Sequence, residues 1–303
     1  MLPNNYYKLP LLSVLYFLIT CAEPVASKLP DGPQIPAIDD SSMISIITWN
    51  IEQFDESVTA NTLDRVQLIM DSLDADFYCL QEIETKSPLI NLVSELDRYS
   101  VIISDDTRYD HLAIVYKQDL FLPIITQSLF ANDDYNYAGR PPLLINFAYI
   151  SEGQEHYLNL INLHMKCCES EPSDLERRHD ASQMLYDYLH QMHAWGDSNF
   201  VVVGDWNDDI HDTDGSGQYA FQAFLDDPGN YKFVTDSLAA TQSVNNATFP
   251  SWNSFLDNIL ISKSLFDENR SSEVRTLRLD EIFGDYSSVV SDHRPVMWSF
   301  EPK

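Results

Sequence analysis

Basic side chains are scarce in this sequence. Lys and Arg total 18 against 47 Asp and Glu in 303 residues, a formal net charge of −29. No long basic run and no Lys/Arg cluster interrupts the acidity along the chain. A protein that grips nucleic acid through many phosphates carries a basic patch, so capture of a polyanion by the field of the whole molecule is excluded. Such a substrate has to be drawn in by bound cations and a few arginines. The plain reading of the acidity is solubility. Cysteine is rare as well, with four in the chain. No second Cys or His pair stands at zinc-like spacing, which makes a cysteine metal site the lesser reading. No internal repeat is visible.

Apolar material is plentiful: 44% of residues are hydrophobic, with 16 Tyr and 15 Phe, enough for a large packed core. The N-terminus is different in kind. Lys8 precedes an apolar stretch, Leu9 to Ile19, interrupted by Pro10, Ser13 and Tyr16. It is too short to span a bilayer and fits the apolar region of an export signal. Leu18-Ile19-Thr20-Cys21 resembles a bacterial lipobox, with Thr where Gly, Ala or Ser is usual. Residues 1–21 are therefore expected to be a signal peptide with Cys21 a candidate lipidation site. The alternative is ordinary cleavage near Ala26. Residues 22–42, with Pro24, Pro30, Pro33 and Pro36, have no periodic apolar pattern and are expected to form a tether. A lipidated Cys21 would place the protein on the cell envelope or outer membrane, and simple cleavage would leave it periplasmic or secreted. Cys79 lies in an apolar run and is expected to be a core thiol. Cys167 and Cys168 are adjacent, and an exported protein can join such a pair as a strained vicinal disulfide.

From residue 43 onward, strand-like and helix-like segments alternate. Ile44 to Trp49, Asp76 to Leu80, Val101 to Ser104, Leu112 to Tyr116, Leu143 to Ile150, Tyr157 to Leu163, Phe200 to Val203, Leu256 to Ile261 and Val296 to Phe300 are expected as strands. Thr62 to Leu73, Pro88 to Leu96, Asp174 to Trp195 and Phe221 to Leu225 are expected as helices. Hairpins mix with strand–helix–strand units, so the expected fold is α/β: a two-sheet sandwich of mixed and antiparallel strands with helices on the outer faces.

Short polar blocks sit where the apolar runs end: Trp49-Asn50, Gln81-Glu82, His164, Gly204-Asp205-Trp206-Asn207-Asp208 and Ser291-Asp292-His293-Arg294-Pro295. Strand ends are where α/β folds gather chemistry. Each block alone has a plain explanation: a loop acid for Glu82, an Asx turn for Asp205, a satisfied structural histidine for His164 or His293. Their conjunction does not. Hard carboxylate oxygens hold a divalent cation, and magnesium keeps several waters and few protein ligands, which suits Glu82 helped by Asp292. An imidazole paired with a carboxylate, as His293 with Asp257, takes a proton from water near neutral pH. The run from Asp205 to Asp214 lacks helix–loop–helix calcium spacing and is expected to be a solvated loop, with a structural Ca2+ as the lesser alternative.

With these residues on the page, the chain resembles the endonuclease/exonuclease/phosphatase superfamily, which groups pancreatic-type deoxyribonucleases, apurinic endonucleases, neutral sphingomyelinases and inositol polyphosphate phosphatases. The matching pieces are Thr48-Trp49-Asn50-Ile51, Leu80-Gln81-Glu82, Asn162-Leu163-His164, Gly204-Asp205-Trp206-Asn207-Asp208, Leu256-Asp257-Asn258-Ile259-Leu260 and the block from Ser291 to Pro295. The resemblance implies a deoxyribonuclease-like four-layer architecture and a Mg2+ (or Mn2+) cofactor. It makes Glu82 the main metal ligand, with Asn50 and Asp292 near it. Asp205 and Asn207 would orient the attacking water, His293 supported by Asp257 would be the general base, and His164 would bind or protonate a phosphate oxygen. Gly139-Arg140-Pro141-Pro142-Leu143 resembles the segment whose arginine contacts a substrate phosphate. Arg108 is a second candidate, with a solvated surface arginine as the plain alternative. The expected activity is an exported nuclease-like phosphodiesterase. A phospholipase C/sphingomyelinase-like or inositol phosphate phosphatase activity is the first alternative, and a non-catalytic surface-binding lipoprotein the second. The expected partners are the phosphate ester and a membrane surface reached through Cys21, with no protein partner.

Overall fold

The first strand already shows how the molecule is layered. In β1 (Ile44–Phe54), Ile44 and Ile46 join one buried cluster while Ile47, Trp49 and Ile51 join another. Successive side chains of a strand point to opposite faces, so a strand apolar on both faces needs a cover on each. The computed structural model, which describes residue 35 and residues 42–168, 172–211 and 219–303, supplies both covers. One is a second sheet and the other a layer of helices.

The elements follow in order: α1 (Ala60–Leu73), β2 (Phe77–Ile83), α2 (Lys86–Ser94), β3 (Tyr99–Ile103), β4 (His111–Lys117), β5 (Phe121–Ser128), β6 (Leu143–Ser151), β7 (Gln154–His164), α3 (Pro172–Ala194), β8 (Phe200–Asp205), β9 (Tyr231–Phe233), β10 (Asp257–Ser262), β11 (Glu273–Thr276) and β12 (Val296–Phe300). Four one-turn helices lie between Gln222 and Val289. One sheet runs β11-β12-β1-β2-β4-β3 and the other β5-β6-β7-β8-β10-β9. Each contains a single parallel pair, β1 with β2 and β7 with β8, and its other pairs are antiparallel. Parallel neighbours need a crossover, and α1 and α3 provide the two crossovers.

α1 buries Val66, Ile69, Met70 and Leu73 on the outer face of the first sheet. Thr59 Oγ1 caps it by accepting from the Thr62 amide, and Asp74 ends it in the left-handed conformation. α3 buries Ala181, Leu185 and Leu189 against the second sheet. Between the sheets, β1 and β2 lie against β8 and β10. This mixed two-sheet sandwich with outer helices is the architecture expected from the sequence.

The expectations differ from the structure in places. β5 was not anticipated: Phe121 is buried, but Leu122, Ile124 and Ile125 are exposed and Pro123 interrupts the run. It is an edge strand, where proline and a register shift are tolerated. The export signal, Cys21 and nearly all of the tether lie outside the described residues. Ile35 is described, and it packs half-buried on the α1–α2 side. Among the described residues no helix is long and apolar enough to cross a membrane. Residues 212–214 of the acidic run lie outside the described residues as well.

Candidate active site at the paired strand ends

The two parallel pairs end at the same place. Asn50 is in register with Gln81 at the end of β1·β2, and His164 with Asp205 at the end of β7·β8. Polar side chains join the sheets there. Gln81 Nε2 donates to Asn162 Oδ1 at 2.7 Å, and Asn162 Nδ2 donates to the carbonyls of Leu80 and Ala113 at 2.9 and 3.0 Å. Asn50 Nδ2 donates to Glu82 Oε1 at 2.9 Å and to Asp205 Oδ2 at 3.1 Å. One amide thus bridges an acid of each sheet.

Glu82 reaches this cleft because the strand breaks its own alternation. Tyr78 and Leu80 face the helices, and a regular strand would send residue 82 after them. Instead Glu82 has φ 62° and the ladder shifts register between Leu80 and Ile83. On β1, Glu52 and Gln53 are also left-handed, at φ 47° and 44°, and the register shifts again. Bulges of this kind re-aim side chains, and left-handed backbone at non-glycine residues gathers at functional sites. The Gln53 amide then donates to Glu82 Oε2 at 3.0 Å. Glu52 Oε2 accepts from the Asp292 amide at 3.1 Å.

Glu52, Glu82 and Asp292 therefore crowd together. Burial, with Asp292 and Glu82 adding repulsion, raises the Glu52 carboxyl above its ordinary range. A crowded group of oxygen-only donors fits a hard divalent cation. Asn50 turns its nitrogen to the acids, and its Oδ1 accepts from the Glu52 amide at 3.0 Å. Ligation through that oxygen requires the amide to turn over.

Asp205 enters the cleft by a different device. Gly204 has φ +150°, and a Cβ there would stand 2.0 Å from the Leu163 carbonyl oxygen. Only glycine permits this close approach of β8 to β7. Asp205 Oδ1 accepts from the Asn207 amide at 2.9 Å, so the Asx turn that was its plain alternative is present alongside its place in the cleft. Asn207 is left-handed at φ 54° and its Nδ2 donates to the Met165 carbonyl at 3.1 Å.

His293 is held on every side. Its Nδ1 donates to Asp257 Oδ2 at 2.8 Å, and its Nε2 lies 3.9 Å from Asp205 Oδ2. Ser291 Oγ donates to the Asn50 carbonyl at 2.7 Å and accepts from the His293 amide at 2.9 Å. Trp49 Nε1 donates to the Tyr286 hydroxyl at 3.0 Å, which donates to the His293 carbonyl at 2.8 Å. Arg294 forks onto Asp280 with bonds of 2.7 and 2.6 Å.

Burial disfavours the charged His293 ring, but Asp257, with Asp205 and Asp292 behind it, lifts its pKa to about 10. Burial followed by Asp257 raises Asp205 to about 7, against the lowering pull of His293, Asn50 and the Asn207 amide. Asp205, Asp257 and His293 offer ligand atoms all within 4.8 Å of one another. A ring whose Nδ1 is committed to Asp257 and which favours its protonated form is a poor ligand, so this trio is better suited to holding protons.

His164 Nε2 lies 3.5 Å from Asp205 Oδ2. Burial first, then Arg140 and His293, hold its pKa well below the usual value. It is therefore a neutral donor and not an acid. Arg140 is buried, donating to the Met165 carbonyl at 2.7 Å and to Asp110 Oδ2 at 3.1 Å. Arg108 pairs with Asp134 at 3.1 Å, its side chain 73% exposed. The expected site residues therefore meet around one cleft, except that Arg108 stands on its outer wall.

Sequence reasoning missed three features. Glu52 was hidden because it reads as the next position of a strand. Asp110, which faces both Arg140 and His164, carried no signal. Neither did a cavity of about 620 Å³ beside the cleft, where Arg108, Arg140, Lys166 and Arg177 converge from distant parts of the chain.

Residues 47–293 match the model of the Endonuclease/Exonuclease/phosphatase family. No curated protein matches the sequence. Among solved structures, TDP2 of D. rerio complexed with a single-strand DNA product superposes with a TM-score of 0.63 at 15% identity, covering 87% of this chain and 100% of that one. The catalytic domain of human Nocturnin, with bound sulfate, gives 0.60 at 18% identity, covering 86% and 94%. The catalytic domain of Xenopus laevis APE2 gives 0.60 at 18% identity, covering 85% and 92%.

Proposed function

The chain belongs to the endonuclease/exonuclease/phosphatase family, a group of metal-dependent phosphoester hydrolases, and from that premise we propose that it is a nuclease-like phosphodiesterase exported from a bacterial cell. The observation that carries the nucleic-acid reading is the cavity beside His164. A chain with no basic cluster in its sequence brings Arg108, Arg140, Lys166 and Arg177 into the lining of this cavity, interleaved with Asp110, Asp133 and Asp134, and Tyr109 and Tyr135, 68% and 63% exposed, line it too. Cations that track a backbone, interleaved with aromatic rings for bases to stack on, are what a single strand needs.

Water attacks the phosphorus in line. Asp205 and Asn207 orient it. Asp205 and His293 are close enough to titrate as one unit. The pair takes the proton of water, with Asp205 near its working pKa and Asp257 fixing the ring. This divides the role that the sequence assigned to His293 alone. Neutral His164 donates a hydrogen bond to a phosphoryl oxygen. A Mg2+ or Mn2+ ion held by Glu82, Glu52 and Asp292 would stabilise negative charge on the transferring group.

The test is hydrolysis of a single-stranded oligonucleotide by the full chain, with Mg2+ or with chelator, beside bis-p-nitrophenyl phosphate, sphingomyelin and inositol phosphates. Cation-dependent cleavage of the oligonucleotide, weakened by Arg108→Ala and Tyr109→Ala, is expected. Preference for sphingomyelin or an inositol phosphate overturns the nuclease reading. Export rests on Lys8 and the apolar stretch from Leu9 to Ile19. The mass of the mature N-terminus decides between a lipidated Cys21 and cleavage near Ala26.

A further inference from the structure

The segment after His164 carries two thiols whose chemistry the hydrolase does not use. Cys167 is half-buried in the wall of the cavity beside the cleft and Cys168 is exposed. Both are free, with their sulfurs 2.9 Å apart. Cys168 is left-handed at φ 68°, a conformation that costs a non-glycine residue free energy.

The backbone between His164 and Cys168 also serves as a frame for the site. The Met165 carbonyl accepts from Arg140 and from Asn207. The carbonyls of Lys166 and Cys168 accept from Arg178 Nη1 at 3.1 and 3.0 Å, and Arg178 Nε donates to Asp208 Oδ2 at 2.9 Å. The Cys167 carbonyl accepts from Lys166 Nζ at 2.6 Å. A covalent change at the thiols therefore pulls on the carbonyls that position Asn207 and Arg140.

We propose that Cys167 and Cys168 form a thiol-modification site, oxidised by a low-molecular-weight disulfide to a vicinal disulfide that slows phosphoester hydrolysis. The exposed Cys168 sulfur, as thiolate, attacks one sulfur of the small disulfide and expels one thiolate. The Cys167 sulfur then attacks Cys168 Sγ and expels the second. Two S–H bonds are lost, one S–S bond forms and one breaks, and the two protons leave on two molecules of small thiol. The protein pair is oxidised and the reagent is reduced. Burial, with the Cys168 sulfur next in effect, raises the Cys167 thiol and makes it the less ready nucleophile of the two, so Cys168 reacts first and Cys167 follows, where the target sulfur is already in contact. The closed ring contains eight atoms, including the peptide bond between the two cysteines, so the Cys167 carbonyl has to move.

The slowing of hydrolysis rests on the phosphoesterase reading, but the modification itself does not. The full chain is treated with oxidised glutathione, digested with trypsin and weighed, while turnover of bis-p-nitrophenyl phosphate is followed in parallel. The peptide from Cys167 to Arg177 is expected to lose two hydrogen atoms, and kcat to fall by about tenfold to a hundredfold, the scale of a small displacement in a catalytic frame. Dithiothreitol restores both. Cys167→Ser should keep one glutathione on Cys168, and Cys168→Ser should keep its turnover through the treatment. A peptide of unchanged mass, or one carrying glutathione without ring closure in the unsubstituted chain, overturns the site. Ring closure without loss of turnover overturns the regulation. Should no substrate be turned over in any state, the hydrolase reading falls, and the peptide mass still decides the thiol site.

Discussion

Asp205 and Asp257 stand directly opposite each other on antiparallel β8 and β10, two buried carboxylates in register. Like charges so placed repel, and burial adds to the cost. The His293 ring relieves both by bonding Asp257 and approaching Asp205. Its pKa is lifted from 6.5 to about 10 by Asp257 and its neighbours, against burial. A raised folded-state pKa means that the stabilisation is fully present below pH 6.5 and is lost as pH rises toward 10. Asp205, raised from 3.8 to about 7 by burial and Asp257, acts in the same direction, because the folded form keeps a proton that the unfolded chain releases. In chelator, unfolding free energy is expected to decline by a few kcal/mol, in order of magnitude, as pH rises, between about pH 3.8 and 7 through Asp205 and between about pH 6.5 and 10 through His293. Urea titrations across those windows measure it. His293→Gln should flatten the slope and lower turnover by about a hundredfold to ten-thousandfold. A slope unchanged in His293→Gln would show that the ring is not the titrating group.

The acids of the first sheet make a separate prediction. Glu82 is the proposed central donor, and Glu52, its neighbour, is raised by burial, Asp292 and Glu82. Glu82→Gln is expected to abolish cation-dependent turnover. Glu52→Gln removes one charge at the rim of the same cluster and should raise the Mg2+ concentration for half-maximal activity by about tenfold to a hundredfold, with kcat at saturating cation much less affected. Cation titration of both variants by turnover, and by thermal shift in the absence of substrate, separates binding from chemistry. Equal cation dependence in Glu52→Gln and the parent would remove Glu52 from the site.

Much of this architecture was legible in the residues because burial leaves a pattern. The run Phe200-Val201-Val202-Val203 is buried throughout and reads as a central strand. Asp205, His164 and Asn50 drew notice in the sequence because each ends such a run. What escaped was set by backbone geometry and by distance along the chain. Glu52 and Glu82 face the cleft through left-handed residues that no periodicity reveals. β5 escaped because an edge strand needs neither alternation nor freedom from proline. The cavity escaped because Arg108, Arg140, Lys166 and Arg177 become neighbours only once β4, β7 and α3 are assembled.

Gly204 offers a sharp test of how closely the second sheet is drawn together at the site. An added Cβ meets the Leu163 carbonyl at 2.0 Å and its carbon at 2.8 Å, both backbone atoms that cannot rotate away. The left half of conformational space at φ +150° adds strain for any side chain. Gly204→Ala is expected to destabilise the fold by about 3 kcal/mol or more, at the upper end for a single methyl. Chemical denaturation reads the loss directly. A stable Gly204→Ala protein would mean that β7 and β8 separate more readily than their register implies.

Arg178 gives the last prediction, because it ties α3 to both halves of the catalytic frame. It is 1% exposed. Its Nε donates to Asp208 and its Nη1 to the carbonyls of Lys166 and Cys168. It touches no reacting atom, so it acts by holding the segments that carry His164 and Asn207. Lysine keeps the charge but cannot fork to three acceptors. Arg178→Lys should therefore lower kcat by about tenfold to a hundredfold, with KM little changed, because the misplacement is felt at the reacting centre. Arg178→Met also removes the buried charge and should cost about 3–5 kcal/mol of stability. A purely structural arginine would show the stability loss in both variants with an unchanged kcat per folded molecule. Kinetics normalised to the folded fraction distinguish the two roles.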